Sequence, residues 1–159
     1  AKMWGFIDKN GKTIIQPIYD KAEDFTNGFA RVKILNKWGF VDKRGRYLIQ
    51  PQYDEVRNFK ENLARVKIGK LWGFVDKNNK IVIPFVYDKA EDFKNGYAQV
   101  KSHKKWGFVD NSGNLIIKPQ FDQCANFKSG VARVDIYSFL SKKIGYIKSD
   151  GSYIWQPSN

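Results

Sequence analysis

The sequence is poor in the residues that usually carry chemistry. It holds one cysteine, one histidine and one methionine among 159 residues. A single cysteine excludes an internal disulfide framework, though not an oxidising environment. One histidine, His103, stands among Lys101, Lys104 and Lys105, which is a poor setting for a metal ligand. No apolar run approaches the roughly 20 residues that a membrane-spanning helix needs. No signal-peptide pattern opens the sequence, which decides nothing about compartment. Acids are scarce relative to bases: 16 Asp+Glu stand against 28 Lys+Arg, a formal charge of +12. That balance attracts anionic polymers and acidic surfaces, although exposed lysines also serve solubility alone.

What is abundant is repetition. Trp4, Trp38, Trp72 and Trp106 are spaced 34 residues apart. Asp20, Asp54, Asp88 and Asp122 keep the same period, as do Phe25, Phe59, Phe93 and Phe127, and Ala30, Ala64, Ala98 and Ala132. A degenerate fifth copy runs from Ile144-Gly145-Tyr146-Ile147 to Trp155-Gln156-Pro157, with about four extra residues within 135–143. A unit of this size cannot bury its aromatics alone, but it can do so against its neighbours.

Each copy reads as three strands and a connector. Ala30–Lys33 alternates small apolar and basic residues, the pattern of a half-exposed strand. Trp38-Gly39-Phe40 puts its two aromatics on one face, and its Gly predicts close approach by a neighbouring unit or connector. The third strand, as at Lys12–Pro17, keeps two adjacent apolar positions, so both its faces are expected to be covered. Between them, Asp8-Lys9-Asn10-Gly11 predicts a type I turn with a left-handed Gly. Asn79 and Asn62 stand where other copies carry Gly, so both are expected at positive φ. Asp20-Lys21-Ala22-Glu23 fits a capping box and predicts one short helical turn. The lone Phe that follows, such as Phe25 or Phe59, is expected to anchor the connector.

These motifs resemble the bacterial WG-repeat, or KWG-repeat, family along nearly the whole chain. The resemblance rests on Trp-Gly-Phe-Val-Asp, the Asn-Gly turn, Ile-Ile-x-Pro, Tyr-Asp, the lone Phe and Gly-x-Ala-Arg-Val. It implies tandem β-rich repeats used for binding or display, with no catalytic activity attached to the repeat. The fifth copy departs from the pattern, with Ile144 for Trp and Lys148 for Asp, as a terminal cap would.

The expected fold is therefore all-β, in one domain over 1–159. It comprises about five three-stranded antiparallel units, roughly 1–29, 30–63, 64–97, 98–131 and a degenerate 132–159. They are expected to form an open superhelical solenoid, with a five-bladed propeller-like ring as the alternative. The ring is disfavoured because the period is short for a four-stranded blade.

Residues with catalytic potential have plain structural readings. Cys124 aligns with Ala22, Val56 and Ala90, so it reads as a small core residue. The acid pairs Glu23-Asp24 and Glu91-Asp92 become Arg57-Asn58 and Ala125-Asn126 in other copies, which fits turn capping better than acid–base work. Asp8–Gly11 lacks the downstream Glu of a calcium loop. No phosphate loop or nucleophile elbow is present. Neither an enzyme nor a cofactor is expected.

The candidate site is a basic ladder: Arg31, Lys33, Arg65, Lys67, Lys101 and Arg133 at equivalent outward strand positions, expected in register along one surface and interrupted by Gln99 and Asp135. A second row at the turns comprises Lys9, Lys43 and Lys77 with Lys12, Arg46 and Lys80. Such rows would hold a protein or an anionic polymer, glycan or nucleic acid. The competing readings are solvated strand faces, and a building block that self-associates through its terminal strands. Compartment is left open, with the cell surface or exterior favoured over the cytoplasm.

Overall fold

The computed structural model describes residues 2–156, so Pro157 of the fifth copy lies outside it. Every regular element among them is a strand. β1 (Trp4–Ile7) and β2 (Thr13–Tyr19) form a two-stranded sheet. The second sheet is β3 (Lys21–Ala22), β4 (Phe29–Ile34), β5 (Lys37–Asp42) and β6 (Tyr47–Tyr53). The third is β7 (Glu55–Val56), β8 (Ala64–Ile68), β9 (Leu71–Val75) and β10 (Ile81–Tyr87). The fourth is β11 (Lys89–Ala90), β12 (Tyr97–Ser102), β13 (Lys105–Asp110) and β14 (Leu115–Phe121). The fifth is β15 (Gln123–Cys124), β16 (Val131–Tyr137), β17 (Lys142–Lys148) and β18 (Tyr153–Trp155). Each is an open antiparallel meander.

The complete sheets are thus four-stranded, not three-stranded. The expected helical turn is instead a two-residue strand: Lys21 and Ala22 pair with Lys33 and Val32. The same pairing recurs at Glu55–Val56, Lys89–Ala90 and Gln123–Cys124. The capping-box pattern lost to a hairpin. Asn27 and Gly28 both have positive φ, and Thr26 bridges Phe29 across them. Two left-handed residues in succession make the type I′ turn whose twist suits adjoining strands. The chain is therefore already doubling back, with no length left for a helix. This shifts the hydrogen-bonded units to 21–53, 55–87, 89–121 and 123–155. It also removes the argument from period against a blade-like sheet, since the fourth strand needs only two residues.

The other turns follow the sequence reading. Gly11, Gly45, Asn79 and Gly113 all have positive φ, as does Asn62. The Asp8 carboxylate accepts from the N–H groups of Asn10 and Lys12 at 2.8 and 2.9 Å, and Asp42, Asp76 and Asp110 repeat that pattern. A second recurrent clamp comes from the Tyr-Asp motif. Asp20, Asp54, Asp88 and Asp122 each accept from the N–H of Leu35, Gly69, His103 and Tyr137, between 2.7 and 3.0 Å.

The Gly of Trp-Gly-Phe admits backbone from its own sheet rather than from a neighbouring unit. Trp38 pairs with Tyr53 and Phe40 with Ile49, so two residues of β5 span four of β6. The surplus Gln50-Pro51 buckles onto Gly39. A Cβ there would lie 2.4 Å from the Ile49 carbonyl oxygen and 2.7 Å from the Pro51 nitrogen. Gly5, Gly73 and Gly107 meet the same obstruction.

Both faces of the second, third and fourth sheets meet a neighbour in the sequence. Ala30, Val32 and Val41 cluster with Ile15 and Tyr19 of the preceding sheet. On the opposite face, Phe40 lies 4.8 Å from Phe59 of the following sheet. The connector Phe fulfils its expected anchoring role at each junction, as Phe6–Phe25, Phe74–Phe93 and Phe108–Phe127 lie 4.7 to 5.0 Å apart. The core is consequently a series of inter-sheet layers.

Candidate functional site

Cross-strand register decides where the basic ladder lies. Arg31 sits opposite Phe40 and Lys33 opposite Trp38, and directly paired residues share a face. The arginine face is therefore the aromatic face, onto which the following sheet packs. This corrects the expected outward placement of Arg31 and Arg65, whose side chains are only 16% and 13% exposed.

The ladder residues are engaged in the junctions. Arg31 donates to the Val56 carbonyl of the next sheet at 2.9 Å and pairs with Glu23. Arg65 pairs with Glu91 and Asp92 of the next sheet at 3.4 and 3.2 Å, and its guanidinium lies 5.1 Å from the Trp72 ring centre. Lys67 pairs with Glu55 at 2.8 Å and also lies over Trp72. Lys33 and Lys101 lie over Trp38 and Trp106 at 5.8 and 5.4 Å. Arg133, in the fifth sheet, is more open and pairs with Asp135 at 3.0 Å. Asp135 is buried and also receives Lys142 at 2.8 Å. Each cation thus caps a tryptophan, an acid or both. The pattern Arg-x-Lys was legible in the sequence, but not which layer covers it.

The lysine of Lys-Trp-Gly has a separate task. Lys37 pairs with Asp54 and Lys105 with Asp122, both at 2.6 Å. These bonds, with the N–H clamps, hold the Asp54 and Asp122 carboxyls below their ordinary range. Leu71 occupies the position in the third sheet.

The turn row is placed differently. Lys9, Lys12, Lys43, Arg46, Lys77 and Lys80 are all exposed. The adjoining carboxylates of Asp8, Asp42 and Asp76 are occupied by turn N–H groups, and Asp42 also by Arg46, while Lys77 lies 5.8 Å from the Phe29 ring centre and lines a hollow with Glu61. The second and third turns rest on the preceding sheet. Gly45 packs against the Ile15 side chain, and Asn79 accepts a 2.7 Å hydrogen bond from Tyr53. Adjacent turns thus form an ordered series. It ends at the fourth turn, where Asn111-Ser112 and Asn114 are neutral.

One concavity stands out, and sequence reasoning did not find it. An open cleft of about 800 Å³ lies where the fourth sheet meets the fifth. Trp106, Gln99, Gln123 and Asn126 line it together with Glu91 and Asp92. Gln99 is buried, and its amide lies 2.7 Å from the Asn126 side-chain oxygen and 3.2 Å from the Cys124 sulfur. Burial, with the Asp135 and Glu91 carboxylates nearby, pushes the Cys124 thiol up to about 12. That shift opposes the thiolate, the nucleophilic form of a cysteine. Among the described residues no group of three His, Cys, Asp or Glu side chains could hold a metal ion, and no helix is long and apolar enough to cross a membrane.

Comparison with known proteins agrees with this repeat architecture. A search of curated proteins finds no match. Among solved structures, the chain is similar to a crystallised protein of unknown function from Bacteroides caccae, at 14% identity and a TM-score of 0.35. That match covers 99% of this chain and 75% of the other. The sequence pattern of the WG containing repeat matches four times, at residues 4–38, 38–72, 72–106 and 106–137. Its matches begin on Trp4, Trp38, Trp72 and Trp106, the residues whose 34-residue spacing marks the repeat, and the chain belongs to the family of WG-containing repeats.

Proposed function

We propose that the chain is a non-catalytic binding module: an open, superhelical stack of β-sheets that presents a basic surface to an anionic polymer. Openness is supported by the contacts, since strands in substantial contact belong to one sheet or to consecutive sheets. The observation that carries the binding role is the turn row. Lys9, Lys43 and Lys77 recur once per repeat, exposed, beside carboxylates already occupied by their own turns. Packed sheets are spaced about 10 Å apart, so the row presents cations at a spacing that a flexible polyanion can follow. The original ladder is a weaker candidate, because Arg31 and Arg65 spend their charge within the junctions. Binding by the turn row is expected to be weakly sequence-specific and to fall steeply with salt.

The test compares two triple variants for affinity to a heparin-like glycan and to nucleic acid at low and high salt. Lys9→Gln, Lys43→Gln and Lys77→Gln together are expected to lower affinity and flatten the salt dependence. Arg31→Gln, Arg65→Gln and Arg133→Gln are expected to act mainly on stability. Unchanged binding in the lysine variant sinks the turn row, and loss confined to the arginine variant returns the site to the ladder.

A second reading, a self-associating building block, is favoured by exposed apolar side chains in the first and fifth sheets. Trp4 is 45% exposed, where its counterpart Trp72 is 9% exposed, and Trp155 is 53% exposed. Sedimentation at rising concentration separates the readings. A strictly monomeric profile removes the second.

A further inference from the structure

The third and fourth sheets solve the same packing problem in different ways. In the third, Arg65 reaches across Trp72 to Glu91 and Asp92 of the following sheet. In the fourth, the position of Arg65 is held by Gln99, and the positions of Glu91 and Asp92 are held by Ala125 and Asn126. Three linked positions have changed together, from a charged set to a neutral one. The shorter amide still bonds across the junction, to Asn126. Trp72 is buried under Arg57, Arg65 and Lys67, whereas Trp106, like Trp38, is partly exposed, and it lines the cleft.

The lining defines the chemistry. Trp106 offers an aromatic surface, which it shares with Lys101 at 5.4 Å from the ring centre. Gln99, Gln123 and Asn126 each bring both donors and acceptors. Lys60 and Lys94 line the cleft with Glu91 and Asp92, and Arg65 pairs with both carboxylates, so a cation is not favoured there. A neutral ligand with a flat C–H face and many hydroxyl groups matches every component. Its C–H face would stack on Trp106, and its hydroxyls would exchange hydrogen bonds with the amides and carboxylates. About 800 Å³ is within the range of pockets that enclose a small ligand and accommodates a short oligomer of such units.

We propose that the cleft between the fourth and fifth sheets is a neutral-saccharide site, with Trp106 as the stacking platform and Gln99 and Asn126 as the polar contacts. It is independent of the basic turn row, which lies on the loops between the second and third long strands of the first three copies.

The experiment titrates the full chain with cellotetraose, chitotetraose, maltotetraose and xylotetraose, following heat and the Trp106 indole resonance. At least one sugar is expected to bind and to shift that resonance. Trp106→Ala removes the platform and is expected to weaken binding at least about tenfold, equivalent to about 1.4 kcal/mol. Because that change also opens the core, a second variant restores the charged pattern. Gln99→Arg with Asn126→Asp is expected to cover Trp106 and abolish sugar binding while the thermal midpoint holds or rises. The proposal is overturned if no tetrasaccharide shifts the Trp106 resonance at millimolar concentration, or if the restoring variant binds as wild type does. It is also overturned if a heparin fragment or an arginine-containing tripeptide displaces the sugar. Loss of heparin binding in the lysine variant with sugar binding intact separates this site from the turn row.

Discussion

The ring of Phe40 lies 4.8 Å from that of Phe59, and the two belong to different sheets. Their contact is tilted, and both side chains are almost wholly buried. A residue in the middle of one repeat is thus completed by the connector of the next. Removing either ring opens a void at the junction, and Phe59→Ala is expected to cost about 3–5 kcal/mol of stability. Phe25→Ala should cost less, because Phe25 is only partly buried against Phe6. Denaturant unfolding of the two variants measures the difference. Equal losses would show that the Phe contacts are not graded by burial.

Gly39 tests a different element of the repeat. Its Cα faces the buckled Ile49–Pro51 backbone, and an added Cβ has nowhere to go. Gly39→Ala is expected to cost about 1–3 kcal/mol or more through overpacking. Gly11→Ala meets open space, but its φ is +80°, so a cost of about 1–2 kcal/mol arises from backbone strain alone. A thermal scan distinguishes them by context. Gly11→Asn should recover most of the Gly11 loss, because Asn tolerates the left-handed region, whereas Gly39→Asn should not, because the atoms its Cβ meets are backbone.

These two glycines show how far the sequence could be read. Gly11 was recognisable because turn chemistry is local: Asp at the start and Gly or Asn at the fourth position suffice. The partner of Gly39 was not, because the two extra residues of β6 become visible only in the register. The capping-box pattern at Asp20–Glu23 misled for a related reason. Local helix signals are weak where a pairing partner ten or so residues ahead can claim the same backbone. The basic ladder was legible as a pattern, yet alternation alone does not reveal that both faces of a strand are covered. The cleft at Trp106 left a trace in the sequence, namely Gln99, Ala125 and Asn126 changing together, but their adjacency is tertiary.

Asn79 and Asn62 share a positive φ but differ in attachment. Asn62→Gly is expected to be neutral, since Asn62 is exposed and Gly adopts its positive φ freely. Asn79→Gly should cost about 1 kcal/mol, because the Tyr53 hydroxyl then loses its acceptor. Asn62→Val should cost on the order of 1 kcal/mol or more through strain. Equal stability of the Gly and Val variants at position 62 would contradict the turn assignment.

The Tyr-Asp clamps make stability pH-dependent. Asp54 and Asp122 are held low, chiefly by the Lys37 and Lys105 side chains and then by the clamped N–H groups. A depressed folded value means that their stabilisation is present above the unfolded carboxyl value of about 3.9. It is lost as pH falls through the lower folded value. The double variant Asp54→Asn, Asp122→Asn is therefore expected to be less stable than wild type at neutral pH. The gap should close as both are acidified below about pH 4. A constant gap across that range would mean the clamps act through shape and not through charge.

Cys124 provides a chemical probe of the junction between the fourth and fifth sheets. Burial and the nearby Asp135 and Glu91 carboxylates oppose its thiolate, which places its thiol near 12. Alkylation proceeds through the thiolate, so at pH 8 iodoacetamide should react far more slowly than with an unshifted cysteine thiol. Two causes of slow reaction can be told apart. If ionisation limits the rate, it rises tenfold per pH unit well beyond pH 9; if access limits it, it levels off. Changing Gln99 to Arg brings a cation to the sulfur's hydrogen-bond partner position, so the thiol should then ionise more readily and react faster at pH 8. A rate in wild type matching that of a free thiol would show that the junction opens in solution, and the cleft geometry around Trp106 would no longer describe the working state.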